Sequence, residues 1–310
     1  NVMIYKNALR TEGADPDVLY ITEGKDAGSY YMYVTSDELG NQGFLAYKSA
    51  DLVNWECVGT ALAKEEDSYL TDNYWAPEVI YDSQEQRYYM FLSATPAAAN
   101  VTTGQGVRKG EGYEQMVVAV SDRPDRGFRL VNFKDASSCG TENLHDYNEQ
   151  RGLSNGNGGY VDAYPHYYAK YVMLDPARYN AFCAANGGSR SYYYGGYETA
   201  IDPHPYVDEN GDKYLFWVDN TSDNLIEKGI NSNRICGVKM ENWLKPDWST
   251  ATIIMCHKFY TVEDWKAAQA GQAVETVPYE PRNRINEGPF VVKHNGLYYM
   301  TFSVGSYADS

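Results

Sequence analysis

Asn286-Glu287-Gly288-Pro289-Phe290-Val291-Val292-Lys293-His294-Asn295-Gly296-Leu297-Tyr298-Tyr299-Met300-Thr301-Phe302-Ser303 reads as a β-hairpin. An apolar strand leads to His294-Asn295-Gly296, and an aromatic strand follows. Asn-Gly between two such runs is a strong hairpin signal, because the tight turn that matches strand twist needs left-handed backbone at both central residues. The first strand opens with a carboxylate, Glu287, ahead of Gly288-Pro289.

The same layout recurs upstream. Ala14-Asp15-Pro16, Trp75-Ala76-Pro77 and Ile201-Asp202-Pro203 each open a strand, and the prolines stand at 16, 77, 203 and 289, at intervals of 61, 126 and 86 residues. Three further β-type runs follow each of the first three openings. They are Tyr30–Thr35, Phe44–Ser49 and Trp55–Val58; then Arg87–Ala94, Met116–Ser121 and Phe128–Val131; then Lys213–Val218, Arg234–Lys239 and Ala251–Met255. Gly, Asp and Ser separate them, which predicts antiparallel meanders of four strands. Four strands per repeat is the pattern of an all-β propeller. A bare repeat of about 60 residues leaves two insertions, roughly 134–199 and 258–285, the second with a short helix over Val262–Gln272. No composition shift marks a boundary, so the 310 residues read as a single domain.

In a propeller the first strand of each blade lines the central channel, so its opening residue points at one mouth. That geometry gathers Asp15, Trp75, Asp202 and Glu287 around one pocket although they lie far apart in sequence. A lone carboxylate before proline is a common turn opener. Three acids at matching places in different repeats point to a site.

Composition narrows the partners. A net charge of −16 argues against nucleic acid, whose phosphates need a basic face. No apolar run approaches the eighteen or so residues of a membrane helix. With 30 tyrosines the chain is rich in residues that suit strands and that contact polar ligands through an apolar ring. The five cysteines have no metal or redox spacing and read mainly as free thiols, and the five histidines form no metal motif.

These motifs together resemble the catalytic domain of glycoside hydrolase family 43: Ala14-Asp15-Pro16, Trp75-Ala76-Pro77-Glu78-Val79, Ile201-Asp202-Pro203 with Asp208-Glu209-Asn210-Gly211 behind it, and Glu287-Gly288-Pro289. The resemblance spans nearly the whole chain and implies a five-bladed β-propeller, of which this chain supplies about three and a half blades. A second polypeptide or a cleaved C-terminal segment is then expected to complete blades four and five. It implies Asp15 as general base, Glu287 as general acid, and Asp202 as the residue that orients the acid and raises its pKa. The chemistry of inversion asks for this set. One carboxylate activates water, a protonated carboxyl serves the leaving oxygen, and a neighbouring charge keeps that carboxyl protonated.

Trp75 fits a sugar-stacking platform, with packing between blades as the alternative. His204 either faces the pocket as a substrate-binding residue or hydrogen-bonds structurally. Glu78 reads as a supporting residue. The expected activity is exo-acting, inverting release of α-L-arabinofuranosyl units from plant cell-wall polysaccharide or oligosaccharide, with a β-D-xylosidase or bifunctional enzyme of the same family and a non-catalytic sugar-binding propeller as alternatives. A retaining fructan-hydrolysing propeller would carry Asn-Asp-Pro-Asn-Gly and Arg-Asp-Pro motifs, which are absent. No cofactor is expected for the chemistry. A structural calcium ion, and the arginine and histidine of the family's later blades, are expectations from the resemblance alone. A chain starting at Asn1 is read as processed, and the location as secreted or periplasmic.

Overall fold

The computed structural model describes residues 13–64, 70–96, 101–103, 106–108, 114–130, 200–219, 234–256, 267, 270–274 and 286–304. Most of these are in strands. β1 (Ala14–Tyr20), β2 (Tyr30–Thr35), β3 (Gly43–Ser49) and β4 (Glu56–Ala63) form a first antiparallel sheet in chain order. β5 (Leu70–Asp82) and β6 (Arg87–Pro96) begin the second. A small hairpin not anticipated from sequence, β7 (Val101–Thr103) with β8 (Gly106–Arg108), precedes β9 (Gln115–Ser121) and β10 (Arg129–Leu130), which complete it. β11 (Ala200–Val207), β12 (Lys213–Asp219), β13 (Arg234–Asn242) and β14 (Lys245–Cys256) form the third sheet. The final hairpin pairs β15 (Asn286–His294) with β16 (Leu297–Val304). Its turn has φ of 49° at Asn295 and 79° at Gly296, the left-handed pair that Asn-Gly predicts. The insertion at 134–199 lies outside the described residues, and most of 258–285 does too.

The first strands are neighbours: β1 packs beside β5, β5 beside β11, and β11 beside β15. This is the radial order of propeller blades. The second sheet explains why its strands look apolar throughout. β6 sends Tyr88, Met90 and Leu92 into a core shared with the first sheet, and Tyr89 and Phe91 into a core shared with the third. β9 divides the same way, Val117 and Ala119 against Met116 and Val118. A period of two on a sheet covered on both faces gives a continuous hydrophobic run. Phe91 meets Trp243 edge-on at 5.7 Å, and Tyr33 meets Phe128 at 6.3 Å. Cys57 is an exposed thiol and Cys236 a buried one.

Each first strand is broken at its proline. Register shifts fall between Ala14 and Asp17, Trp75 and Glu78, Ile201 and His204, and Glu287 and Phe290. Proline has no N–H for the ladder, so a strand that contains one takes a bulge there. The residue before each proline is left-handed, with φ of 48° at Asp15, 46° at Ala76, 52° at Asp202 and 59° at Gly288. Only the last is glycine. The other three hold a conformation that L residues rarely adopt, and bulges of this kind re-aim side chains beside sites.

Candidate active site

The bulges define two levels of contact between blades. At the upper level, the N–H of the left-handed residue donates to a side chain of the preceding sheet. Ala76 N donates to Thr35 Oγ1 at 2.7 Å, and Asp202 N donates to Ser93 Oγ at 3.0 Å. Thr35 and Ser93 are equivalent, since they pair with Ala14 and Trp75 in their own sheets. Their counterpart in the third sheet is Val218, paired with Ile201, which has no hydroxyl. Gly288 N therefore donates to a different group, Asp202 Oδ2, at 2.9 Å.

The lower level uses the residue after each proline. Val79 N donates to Asp17 Oδ2 at 2.8 Å, and Val291 N donates to His204 Nε2 at 3.0 Å. The corresponding donor in the third sheet would be residue 205, but Pro205 has no N–H. Glu78 instead meets the His204 ring, with Oε2 and Nδ1 2.5 Å apart. Since Nε2 accepts from Val291, the ring proton belongs on Nδ1 and is donated to Glu78. Burial lowers the His204 pKa to about 4, so the ring is neutral near pH 7.

On this framework the three predicted acids stand at the openings of β1, β11 and β15, with β5 between the first two. Asp15 is exposed and its Oδ2 accepts from Thr35 Oγ1 at 2.9 Å, so one hydroxyl ties Asp15 to the second sheet. Asp202 and Glu287 are half-buried. Burial first, and then the charge of Glu287, pushes Asp202 up to about 7. Burial and then the charge of Asp15 raise Glu287. Charge coupling thus links the three carboxyls, but the charge that raises Glu287 is that of Asp15, whereas the sequence argument gave that role to Asp202. Desolvation is nevertheless the larger cause for both raised groups, whereas the sequence argument named repulsion alone.

The structure refines the equivalences. Asp15 and Asp202 match as left-handed residues, with Ala76 and Gly288 in the same place. Glu287 stands one residue earlier, level with Ala14, Trp75 and Ile201. Trp75 is half-buried at its opening, beside Ser93 in the sheet. Of the two roles open to His204, the structure gives the hydrogen-bonding one. The residue is 4% exposed, both ring nitrogens are engaged within the protein, and the ring centroid lies 4.9 Å from that of Phe290. Sequence reasoning missed Thr35, Ser93 and Asp17. The available signals were the Thr or Ser ending the second strand of a repeat and the polar residue after each opening proline.

Among the described residues no group of three or more His, Cys, Asp or Glu side chains could hold a metal ion. Among them no helix is long and apolar enough to cross a membrane.

Blades in radial order with carboxyls of unlike exposure at the mouth form the kind of site that glycoside hydrolysis requires. The sequence model of glycosyl hydrolases family 43 matches residues 5–146 and 184–309, and the chain belongs to this family. Similar solved structures include a thermostable family-43 glycoside hydrolase, at 22% identity and a TM-score of 0.57, covering 98% of this chain and 68% of that one. An endo-1,4-beta-xylanase from Bacteroides thetaiotaomicron is similar at 21% identity and a TM-score of 0.51, covering 96% and 65%. An alpha-L-arabinofuranosidase from Lactobacillus brevis is similar at 14% identity and a TM-score of 0.50, covering 97% and 66%. At these identities the likeness concerns the fold. The chain spans about two thirds of the length of these structures. Comparison with curated proteins gave no match.

Proposed function

We propose that the protein is an inverting glycoside hydrolase acting by exo cleavage on α-L-arabinofuranosyl units of plant cell-wall polysaccharide or oligosaccharide. The observation that carries this is the charge coupling of Asp15, Asp202 and Glu287 at the openings of three first strands, with Asp15 exposed and the other two carboxyls raised by burial and shared charge. Asp15 accepts the proton of the attacking water. Glu287, whose pKa is raised by burial and then by the charge of Asp15, acts as the acid and delivers its proton to the leaving oxygen. Asp202 binds Gly288 N and so holds the backbone beside Glu287. Trp75 offers a stacking face to the sugar. A β-D-xylosyl unit suits the same machinery, and the similar structures include both a xylanase and an arabinofuranosidase. A panel of nitrophenyl glycosides tests the assignment: hydrolysis of the arabinofuranoside above the xyloside supports it, and hydrolysis of neither defeats it. A sugar-binding propeller without catalysis would need no such charge coupling.

The fold reading extends to a five-bladed propeller whose fourth and fifth blades are completed by a further segment, of this polypeptide or another. The β15–β16 hairpin has an apolar face for it. Cross-strand partners Val292 and Tyr299 are exposed, as are Phe290, at 47%, and Leu297, at 61%. Ser303 pairs with Glu287 as Thr35 pairs with Ala14 and Ser93 with Trp75, so its hydroxyl stands where a next blade's N–H would arrive. A substrate of polymeric size places the enzyme outside the cytoplasm. Any calcium ion is assigned a structural role only, with ligands outside the described residues. Chelation is then expected to lower Tm without changing the product anomer.

A further inference from the structure

The function assigned to Glu287 requires its strand to be held still, and polar contacts tie β15 to the third sheet. Two of them lie on either side of Pro289. Gly288 N donates to Asp202 Oδ2 at 2.9 Å, and Val291 N donates to His204 Nε2 at 3.0 Å. Together they fix the segment Gly288–Val291, which contains the bulge and the left-handed Gly288 that follows Glu287 directly. The second contact depends on the tautomer of His204, since an imidazole accepts at Nε2 only when its proton is on Nδ1. Glu78, at 2.5 Å from Nδ1, selects that tautomer. The arrangement follows from sequence, because Pro205 denies Glu78 a backbone donor and leaves the histidine as its partner.

We propose that Glu78 and His204 are positioning residues for the general acid: Glu78 holds the His204 proton on Nδ1, His204 Nε2 anchors Val291 N, and that anchor aims Glu287 at the leaving oxygen. Neither residue touches substrate. A lost anchor frees the strand below Glu287, and a misplacement of about 1 Å at a reacting group costs on the order of 10²-fold in rate. The loss should fall on proton donation, so it should be large for alkyl or sugar leaving groups. It should be small for nitrophenolate or better leaving groups, which depart without an acid.

The proposal rests on the hydrolase reading, and the test separates the two. In the full-length protein, His204→Gln places an amide oxygen near the Nε2 position and can still receive Val291 N. His204→Asn reaches only the Nδ1 position and cannot. His204→Asn should lose about 10–100-fold in kcat on a substrate with a poor leaving group and less than about threefold on an activated one, with KM nearly unchanged. His204→Gln should recover most of the loss. Glu78→Ala, with the tautomer no longer selected, should repeat the pattern more weakly, and Glu78→Gln should restore it. This second pair decides the matter if His204→Asn does not fold. Glu287→Ala is the reference and must itself show leaving-group selectivity. If it does not, the general-acid assignment fails and the proposal falls with it. If Glu287→Ala is selective but the His204 and Glu78 variants lose activity equally on both substrates, or track Tm alone, only the positioning role is overturned.

Discussion

Ser93→Ala tests whether a single hydroxyl between blades supports a catalytic carboxylate. Ser93 is fully buried, and its Oγ receives Asp202 N at 3.0 Å. The substitution removes one oxygen and leaves an enclosed N–H without its acceptor, which costs about 1–3 kcal/mol. An unfolding entropy of about 2.1 cal/mol/K per residue over this chain gives roughly 0.65 kcal/mol/K, so Tm should fall by about 2–5 °C. The functional effect should exceed what stability explains. Asp202 is held at φ 52°, in a region that disfavours L residues by roughly 1–2 kcal/mol, and the Ser93 bond helps keep it there. Once released, the backbone can relax and carry the carboxylate away, with a loss in kcat of about 10–100-fold. Ser49→Ala is the control. Its Oγ accepts from Asp51 N at 3.1 Å and Leu52 N at 3.0 Å in a turn of the first sheet, so it should lower Tm without lowering kcat. Scanning calorimetry and steady-state kinetics on both variants give the answer. Wild-type kcat in Ser93→Ala, or equal losses of activity in both, would refute the reasoning.

Three other outcomes are expected. Burial, and then the charge of Glu78, raises Asp17 from 3.8 to about 8, so the native state holds a proton there that the unfolded chain has released. The stability tied to this group is complete below pH ~4 and lost as pH rises towards 8, by up to about 1.4 kcal/mol per unit. Asp17→Asn keeps an acceptor for Val79 N and should flatten that slope by about one proton in urea unfolding between about pH 5 and 7; an unchanged slope argues against a buried, protonated Asp17. Ser303→Ala should lower the stability of the complete protein about as much as Ser93→Ala if a further blade donates to Ser303, by about 1–3 kcal/mol, and should have no effect if that face meets only water. Gly288→Ala should cost only about 1 kcal/mol in Tm measurements, because the left-handed φ is the sole penalty and Ser303 Oγ, at 3.9 Å from the new Cβ, leaves room.

The sheets were legible because their signals are local. Asn295-Gly296 set the last hairpin, and β-type runs between Gly and Asp set the others. The shared prolines aligned the repeats correctly, since proline forces the same bulge wherever it interrupts a first strand. Asp15, Asp202 and Glu287 were singled out as candidates because strand openings converge in a propeller. The one-residue offset of Glu287 could be read against the shared proline, since Gly288 stands between Glu287 and Pro289, but that Gly288 takes the left-handed backbone of Asp15 and Asp202 needed the structure. The contacts between blades were hidden for a different reason. Thr35 to Ala76 and Ser93 to Asp202 join residues 41 and 109 positions apart, and no periodicity reports such pairs. His204 shows the limit most clearly. Its sequence context allowed a ligand contact or a structural bond, and what separates them is Pro205, whose missing N–H turns Glu78 towards the imidazole.

The central claim is that Asp15 and Glu287 act on opposite sides of a glycosidic bond with water between them. Proton NMR of the first product released from an arabinofuranoside or xyloside, recorded before mutarotation, tests it most directly. The account predicts that the new sugar appears with inverted anomeric configuration. A retained anomer would mean that a carboxylate attacks the sugar itself, and would contradict the roles given to Asp15 and Glu287.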